Sequence, residues 1–423
     1  MRYLPAILIG RLVRFAVRLV RPGGGSALPG VVLSKLAPNL VYKTLNSFEH
    51  GLVVVTGTAG KSTTTKMVVA IVRAHGLEVF TNPSTANIEQ GFFSTIIKHG
   101  DLFGKVPGSI AILEMDEGHA AQIVERVKPK TSVILNVFED QLDRFIDPAL
   151  VRDKLALVAK ATTGTVLLNG DDQNCLIINE ALEGKSVEFF GISASVSRAS
   201  KSKMEYAQTY LPEIAKPAIA ATVLELQDKK VAVNLSGQTA EFSLPNRGLH
   251  FALDAIAALA TAKEILGKEF DLAKAAKVLD ELPPVFSRGE IKEVNGEPIE
   301  FILVQNPPSM QLNLDNLSSD VEQVFFAIGR DVHDPSWMWT VDLSNLKRVN
   351  MVSGFNYADA ALLLAYNEIP IDVVEADYFK AIDEFMALPK PASGVKTVIY
   401  SADAMRRLRR YLGFTDPEDV SRG

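Results

Sequence analysis

The chain has 423 residues, 47% of them hydrophobic and 22% charged, which excludes wholesale disorder and leaves room for two or three domains of about 100–200 residues. Its one cysteine, Cys175, excludes an intrachain disulfide and a cysteine-rich zinc site and fits a reducing cytoplasm. The net charge of −6 is unevenly spread: Arg2, Arg11, Arg14, Arg18, Arg21, Lys35 and Lys43 all precede Glu49, the first acidic residue, so a basic arm leads into an acidic body, a poor footprint for nucleic-acid binding.

The arm opens with Leu4 to Leu19, apolar with arginines inserted. At helical spacing Arg11, Arg14, Arg18 and Arg21 share one face, and Leu8, Leu12, Phe15 and Leu19 share another. No run approaches the ~18 uninterrupted apolar residues of a membrane span. The arginines follow the short run Leu4–Ile9 rather than precede it, against the order of a signal peptide. Two readings stay open. Residues 1–21 form either a helix packed on the body with a solvated arginine face, or a helix lying on an anionic membrane surface. Pro22-Gly-Gly-Gly-Ser is a flexible break.

Leu52-Val-Val-Val55 predicts a buried strand, and Lys66 to His75 predicts a helix. Between them lies Thr56-Gly57-Thr58-Ala59-Gly60-Lys61-Ser62-Thr63. Strand, glycine loop, Gly-Lys-Ser and helix make a phosphate-binding arrangement, because glycines let backbone N–H groups approach the phosphates. Lys61 would neutralise the β- and γ-phosphates, and the Ser62 hydroxyl would reach Mg²⁺. The common loop carries a glycine where Val55 stands, so this is a variant. Ser109-Ile-Ala-Ile-Leu113 predicts a second strand, ending at Glu114-Met-Asp116-Glu117. A carboxylate at such a strand end, near a phosphate loop, suits Mg²⁺; the competing reading is a solvated acidic loop.

Gly57-Thr58-x-Gly60-Lys61-Ser62-Thr63 resembles the ATP loop of the Mur ligase superfamily. Those enzymes activate a carboxylate as an acyl phosphate that an amine attacks. The resemblance implies ATP binding by Thr58, Gly60, Lys61, Ser62 and Thr63, with Mg²⁺ held at Ser62 and Glu114. Asn136-Val-Phe-Glu-Asp140-Gln141-Leu142-Asp143-Arg144 is similar to a further superfamily segment, with Gln141 in place of a histidine that helps hold a second metal. Lys154 lies near the position of a modified lysine but out of register, and that role is not carried over. Phe286-Ser-Arg288-Gly-Glu290 resembles the start of the superfamily's last domain, whose arginine reaches the nucleotide; taken alone, Arg-x-Glu would be a surface ion pair. In Gly248-Leu-His250-Phe251-Ala-Leu-Asp254, Phe251 and Asp254 replace two asparagines that lie near adenine in the superfamily.

Three features point within the superfamily to the MurT family, the ATP-using subunits of lipid II isoglutaminyl synthase. Only about 50 residues precede the ATP loop, too few for the UDP-binding domain of the enzymes that act on soluble precursors. The arm Pro22–Gly30 followed by Leu36-Ala-Pro-Asn-Leu resembles the MurT N-terminus. Ile328-Gly-Arg-Asp331-Val-His-Asp334-Pro-Ser336-Trp337-Met-Trp339-Thr-Val-Asp342 resembles the MurT C-terminal signature. The resemblance implies a partner glutaminase, GatD, whose Cys-His pair Asp334 would complete; the competing reading of Asp334 is a turn or N-cap aspartate before Pro335. MurT proteins commonly carry a four-cysteine zinc ribbon, but no cysteine follows Cys175, so no zinc is expected.

The expected architecture is α/β. A basic arm (1–48) precedes a Mur ligase-type P-loop domain with a parallel-rich sheet (49–284) and a smaller, Rossmann-like α/β MurT-type domain (285–423). The expected activity is ATP-dependent amidation of the D-glutamate α-carboxylate of lipid II, in the cytoplasm at the inner face of the membrane. Asp334, Lys61 and Glu114 are its catalytic candidates. Ammonia would come from a GatD-like partner, because no glutaminase-like context surrounds Cys175. The alternatives are a Mur or folylpolyglutamate-type amino-acid ligase, which needs no glutaminase, and a degenerate ATP-binding scaffold.

Overall fold

The computed structural model describes residues 3–20, 27–83, 86–138, 147–199, 214–283, 288–318 and 321–414. Gln141, the Pro22–Ser26 break, the Ser-rich stretch from 200 to 208, Phe286, the chain end from 415 and the side chains of Arg18 and Arg288 lie outside them.

Three helices, α1 (Leu4–Val20), α2 (Ala27–Leu36) and α3 (Leu40–Leu45), lead into β1 (Leu52–Thr56). Strands and helices then alternate: α4 (Lys61–Ala74), β2 (Val79–Phe80), α5 (Glu89–His99), β3 (Ile110–Glu114), α6 (Glu117–Ile123), β4 (Thr131–Ile134), α7 (Pro148–Ala161), β5 (Thr165–Asn169), α8 (Gln173–Glu180), β6 (Ser186–Ile192) and α9 (Ala194–Ala199). β7 (Ala221–Gln227), β8 (Lys230–Leu235) and β9 (Gln238–Ser243) complete a nine-stranded sheet in the order β2-β3-β1-β4-β5-β6-β7-β8-β9. It is parallel from β2 to β7 and antiparallel beyond.

β1, β3, β4 and β5 are buried along their whole length. That is why they read as unbroken apolar runs: a parallel strand covered on both faces has no polar side. One face packs on α4, α10 (Leu249–Leu266) and α11 (Leu272–Asp280). α10 is rich in alanine and buried on nearly every side, since small side chains let a helix sit deep against the sheet. The other face is covered by α1–α3, α5 and α6 around Phe92 and Phe93, with α7 and α8 over β4 and β5. The arm thus shares a core with the nucleotide-loop sheet. The helix predicted from the arm does pack on the body, but through Ala6, Ile7 and Gly10, not through the ridge of leucines.

A second sheet follows. β10 (Arg288–Val294) and β11 (Glu297–Leu303) form a hairpin whose turn, Asn295-Gly296, takes the positive φ angles (52° and 79°) that a two-residue type I′ turn requires. α12 (Pro307–Asp315) opens with a reciprocal cap between Asn306 and Ser309, which accounts for the Asn-Pro-Pro-Ser string. β12 (Val324–Ala327), a 3-10 helix (Pro335–Thr340), β13 (Val349–Ser353), α13 (Tyr357–Tyr366), β14 (Ile371–Val374), α14 (Tyr378–Met386), β15 (Lys396–Tyr400) and α15 (Ala402–Tyr411) complete the order β10-β11-β15-β12-β13-β14, parallel from β11 onward.

Two buried cations tie this sheet together. Lys396 has no exposed side-chain surface and places its three donors on Glu297 Oε2 (3.0 Å), Met386 O (3.0 Å) and Leu388 O (2.7 Å). Arg409 on α15 reaches Glu290 Oε2 at 2.9 Å and lies over the rings of Phe301 and Phe414. The glutamate of the Arg-Gly-Glu segment is therefore structural. Glu290→Ala removes the carboxylate that pairs with a buried guanidinium and is expected to cost about 3–5 kcal/mol of stability. Denaturant unfolding checks this, and a loss below ~1 kcal/mol would mean the pair behaves like an exposed one.

Candidate functional site

The phosphate loop leaves the carboxyl end of β1, between β3 and β4, where the chain order changes direction and open α/β sheets place their ligands. Backbone geometry fixes its glycines. Gly57 and Gly60 both have positive φ (125° and 86°), and a Cβ on Gly57 would lie 2.9 Å from Asn136 O. Gly60 caps α4, so that helix's N-terminal N–H groups point out of the loop, which is the requirement for holding a phosphate.

Asn136, just past β4, clamps the loop. Its carbonyl accepts from Thr58 N (3.0 Å), its side-chain oxygen from Ala59 N (2.8 Å), and its amide donates to Ala59 O (3.1 Å). Phe138 N donates to Thr58 Oγ1 at 3.0 Å. Asp172, fully buried after β5, accepts from Val137 N (2.9 Å) and Cys175 N (3.0 Å) and so holds the clamp segment in turn. Burial pushes the Asp172 carboxyl up to about 6, against the N–H donors that favour its charged form. Cys175 is buried beside it, with its thiol pushed up chiefly by burial, and acts as a small core residue.

Lys61 Nζ donates to Gly57 O (2.5 Å), Thr58 O (3.1 Å) and Glu117 Oε1 (3.2 Å). Its ammonium is curled over the loop, where phosphate oxygens would sit. Glu117, at the start of α6, is 8% exposed and is the counter-ion at this site. Ser62 and Thr63 follow on the first turn of α4 and are nearly buried. Glu114 ends β3 in register with Val55 of β1. Its backbone is held on both sides by Asn82, and its Oε1 accepts from Asn87 Nδ2 at 3.2 Å. Glu114 is thus a fixed, nearly buried carboxylate, not a solvated loop residue. Among the described residues no cluster of three or more His, Cys, Asp or Glu side chains could hold a metal by itself. The donors present, a hydroxyl and a carboxylate, fit Mg²⁺, which keeps several waters and takes its remaining ligands from substrate phosphates.

Asp254 on α10 stands against the phosphate loop. It accepts from Thr64 Oγ1 at 3.1 Å, and a Cβ on Gly60 would meet its Oδ1 at 2.2 Å. Asp254 therefore acts on the loop itself. Local pattern assigns no role to Asn136 or Glu117; each follows a strand end next to β1, the position that could have marked them. For Arg288, only the backbone is described: it begins β10, opposite Ile302.

Asp334 lies far along the chain, in the second sheet's domain. It caps the 3-10 helix, accepting from Ser336 N at 2.9 Å. Hydrogen bonds from the Ser336 hydroxyl and backbone hold its carboxyl below the usual range, so it is ionised and exposed at neutral pH. The capping reading is therefore correct, and it leaves the carboxylate accessible. The 3-10 helix that it caps carries an exposed aromatic side chain. Trp339 (43% exposed) packs edge-on against Tyr366 (76% exposed) with ring centroids 5.3 Å apart, and Phe355 and Leu362 are also exposed. Asn356 ties the Phe355 loop to the Asp334 loop by donating to Val332 O (2.7 Å) and Gly329 O (3.0 Å).

Comparison with known proteins agrees with this geometry. Residues 55–262 match the Mur ligase middle domain, and residues 303–402 match the MurT ligase C-terminal domain. MurF of Acinetobacter baumannii superposes with a TM-score of 0.68 at 16% identity, over 91% of this chain and 80% of that one. MurF of Thermotoga maritima in complex with ADP gives 0.65 at 18%, over 93% and 85%. The chain belongs to the Mur ligase family of ATP-dependent ligases. Within it the chain is of the MurT type: it is 26% identical over 405 residues to the MurT subunit of the glutamine-hydrolyzing lipid II isoglutaminyl synthase of Streptococcus pneumoniae, covering 87% of this chain and 88% of that one. The MurT subunit of Staphylococcus aureus is 28% identical over 204 residues, covering 48% and 45%.

Proposed function

We propose that this chain is the ATP-using subunit of a two-subunit amidotransferase that converts the D-glutamate α-carboxylate of lipid II to a carboxamide. One observation carries the reading: a single chain combines a phosphate loop with an exposed, ionised Asp334 capping a helix that bears the exposed Trp339, while its only thiol is buried. Such a chain activates a carboxylate but cannot free ammonia from glutamine, so a partner glutaminase of the GatD kind supplies it. Exposed tryptophan, tyrosine and phenylalanine are the residues that partner surfaces favour.

The substrate carboxylate oxygen attacks the γ-phosphorus of ATP. An O–P bond forms, the bond to the bridging oxygen breaks, and ADP leaves with that electron pair. The ammonia lone pair then attacks the acyl carbon, the C–O bond breaks, phosphate departs and the nitrogen loses a proton. Lys61 and the N–H groups of the loop and of the first turn of α4 oppose the charge on the transferred phosphoryl group. Mg²⁺, when held by Ser62 and Glu114, would neutralise the β- and γ-phosphate oxygens. Arg288, at the start of β10, is proposed to approach the nucleotide from the second domain. The divisions at 48/49 and 284/285 are proposed as the functional boundaries, and the chain works in the cytoplasm beside a membrane-held substrate.

The test is to incubate the full chain with lipid II, ATP, Mg²⁺ and ammonium, and follow the D-glutamate carboxylate by mass spectrometry. Carboxamide formed in step with ADP is expected. Turnover that instead requires an added amino acid would make the chain a peptide-forming ligase, and no ATP turnover with any acceptor would make it a scaffold.

A further inference from the structure

The first helix is built inside out for a protein surface. α1 packs inward through Ala6 and Ile7, and its Gly10 lies against Ile97 of α5. On the far side Leu8 (49% exposed), Leu12 (67%), Phe15 (62%) and Leu19 (69%) stand in solvent. Their spacings of 4, 3 and 4 keep them within a stripe about 60° wide on a helix that turns ~100° per residue. Ile9 (44% exposed) widens the stripe, and in the loop after α5, whose Gly104 lies against Ile7, Leu102 and Phe103 are exposed as well (40% and 57%). Four large apolar side chains in one row are a surface that needs cover.

The charge along α1 itself has one sign. Arg11 and Arg14 lie along its flank, half-buried. Arg11 is braced by a 2.6 Å hydrogen bond to Gly100 O. His99, on α5 beside the helix, is held below the ordinary imidazole range by burial first and then by the positive charges of Lys98 and Arg14. Lys35 and Lys43 follow on α2 and α3, and no acidic residue precedes Glu49. In the adjoining loop the exposed Asp101 accepts from the N–H groups of Phe103 and Lys105, which hold its carboxyl below the usual range, so it adds one negative charge beside this basic helix. The 17-residue helix spans about 25 Å, short of the ~30 Å hydrocarbon core, and among the described residues no helix is long and apolar enough to cross a membrane.

We propose that the exposed ridge of α1 docks on an anionic lipid bilayer, with its leucines and Phe15 in the acyl boundary and its arginines at the headgroups. An apolar stripe with cationic flanks is the pattern of helices that lie in the membrane interface. A second copy is disfavoured as the occupant: an antiparallel two-fold contact along this ridge would set arginine flank against arginine flank. The inference names the membrane contact implied by a lipid-linked substrate and rests on that reading for its purpose; its geometry does not depend on it.

The experiment is flotation of the full chain with vesicles of phosphatidylglycerol and phosphatidylcholine, and with phosphatidylcholine alone. The wild type is expected to float with the anionic vesicles and less with the neutral ones, and salt should weaken the binding. The double variant Leu12→Glu/Phe15→Glu is expected to lose at least ~10-fold in anionic vesicle binding with an unchanged melting temperature, because both side chains are exposed. Absence of wild-type binding, or equal binding by the variant, overturns the proposal. So does a variant that changes oligomeric state while still binding vesicles, since the ridge would then be a contact between copies. Amidation of a water-soluble, lipid-truncated substrate separates this from the proposed function. If that amidation persists while docking fails, only the docking surface is wrong; if docking persists without amidation, the functional reading is.

Discussion

Lys61→Ala is expected to lower ATP-dependent amidation by at least ~10²–10³-fold, the scale of losing one preorganised group that meets charge developing in the transition state. The structure makes the prediction specific. Lys61 already bridges two loop carbonyls and Glu117, so its ammonium is positioned by the protein before any phosphate arrives. Removing it also takes the ammonium away from Glu117, a carboxylate only 8% exposed beside the loop. Both changes raise the barrier in the same direction. Steady-state ADP release checks the prediction, with the melting temperature confirming a folded protein. Turnover within tenfold of wild type would remove Lys61 from the reaction and with it the assignment of this loop.

Asp334→Asn should split the two nitrogen sources. With glutamine and the partner glutaminase present, amidation is expected to fall by ~10³–10⁴-fold, because an amide neither stabilises an imidazolium nor fixes the tautomer of a histidine base. With ammonium chloride as the nitrogen source the rate should be unchanged. Asparagine is as good a helix cap as aspartate, so the hydrogen bond to Ser336 N survives and the loop keeps its shape. Equal losses with both sources would show that Asp334 supports the fold or the acceptor site and does not serve the glutaminase.

Much of the nucleotide site was legible from local pattern. Leu52–Val55 reads as a strand because it is buried on both faces, and the helix after Gly60-Lys61-Ser62 follows from the loop that precedes it. A carboxylate at a strand end makes Glu114 a local feature of the sequence, and Asp334 stands in a recognisable string. Glu117 and Asp254 were not found in their roles. Glu117 meets Lys61 across 56 residues, and Asp254 meets Thr64 across 190, and neither contact leaves a mark in spacing. Asp254 looked like a departure at the adenine end, whereas it sits on the phosphate loop. Glu290 looked like part of a nucleotide-facing segment, yet it is spent on Arg409.

The first helix marks the boundary between what sequence and tertiary structure each determine. Helical period alone established that Leu8, Leu12, Phe15 and Leu19 share a face, that arginines flank it, and that it is too short to span a bilayer. The same is true of the strand–loop–helix order at Lys61, where backbone sterics and helix polarity are properties of a few consecutive residues. Which face of α1 turns inward was decided by α5, whose Ile97 accepts Gly10 in close contact and leaves no room for the bulkier ridge. Periodicity defines faces but not neighbours. A ridge of leucines is core or surface according to what the rest of the chain brings against it, and here the chain brings nothing among its described residues.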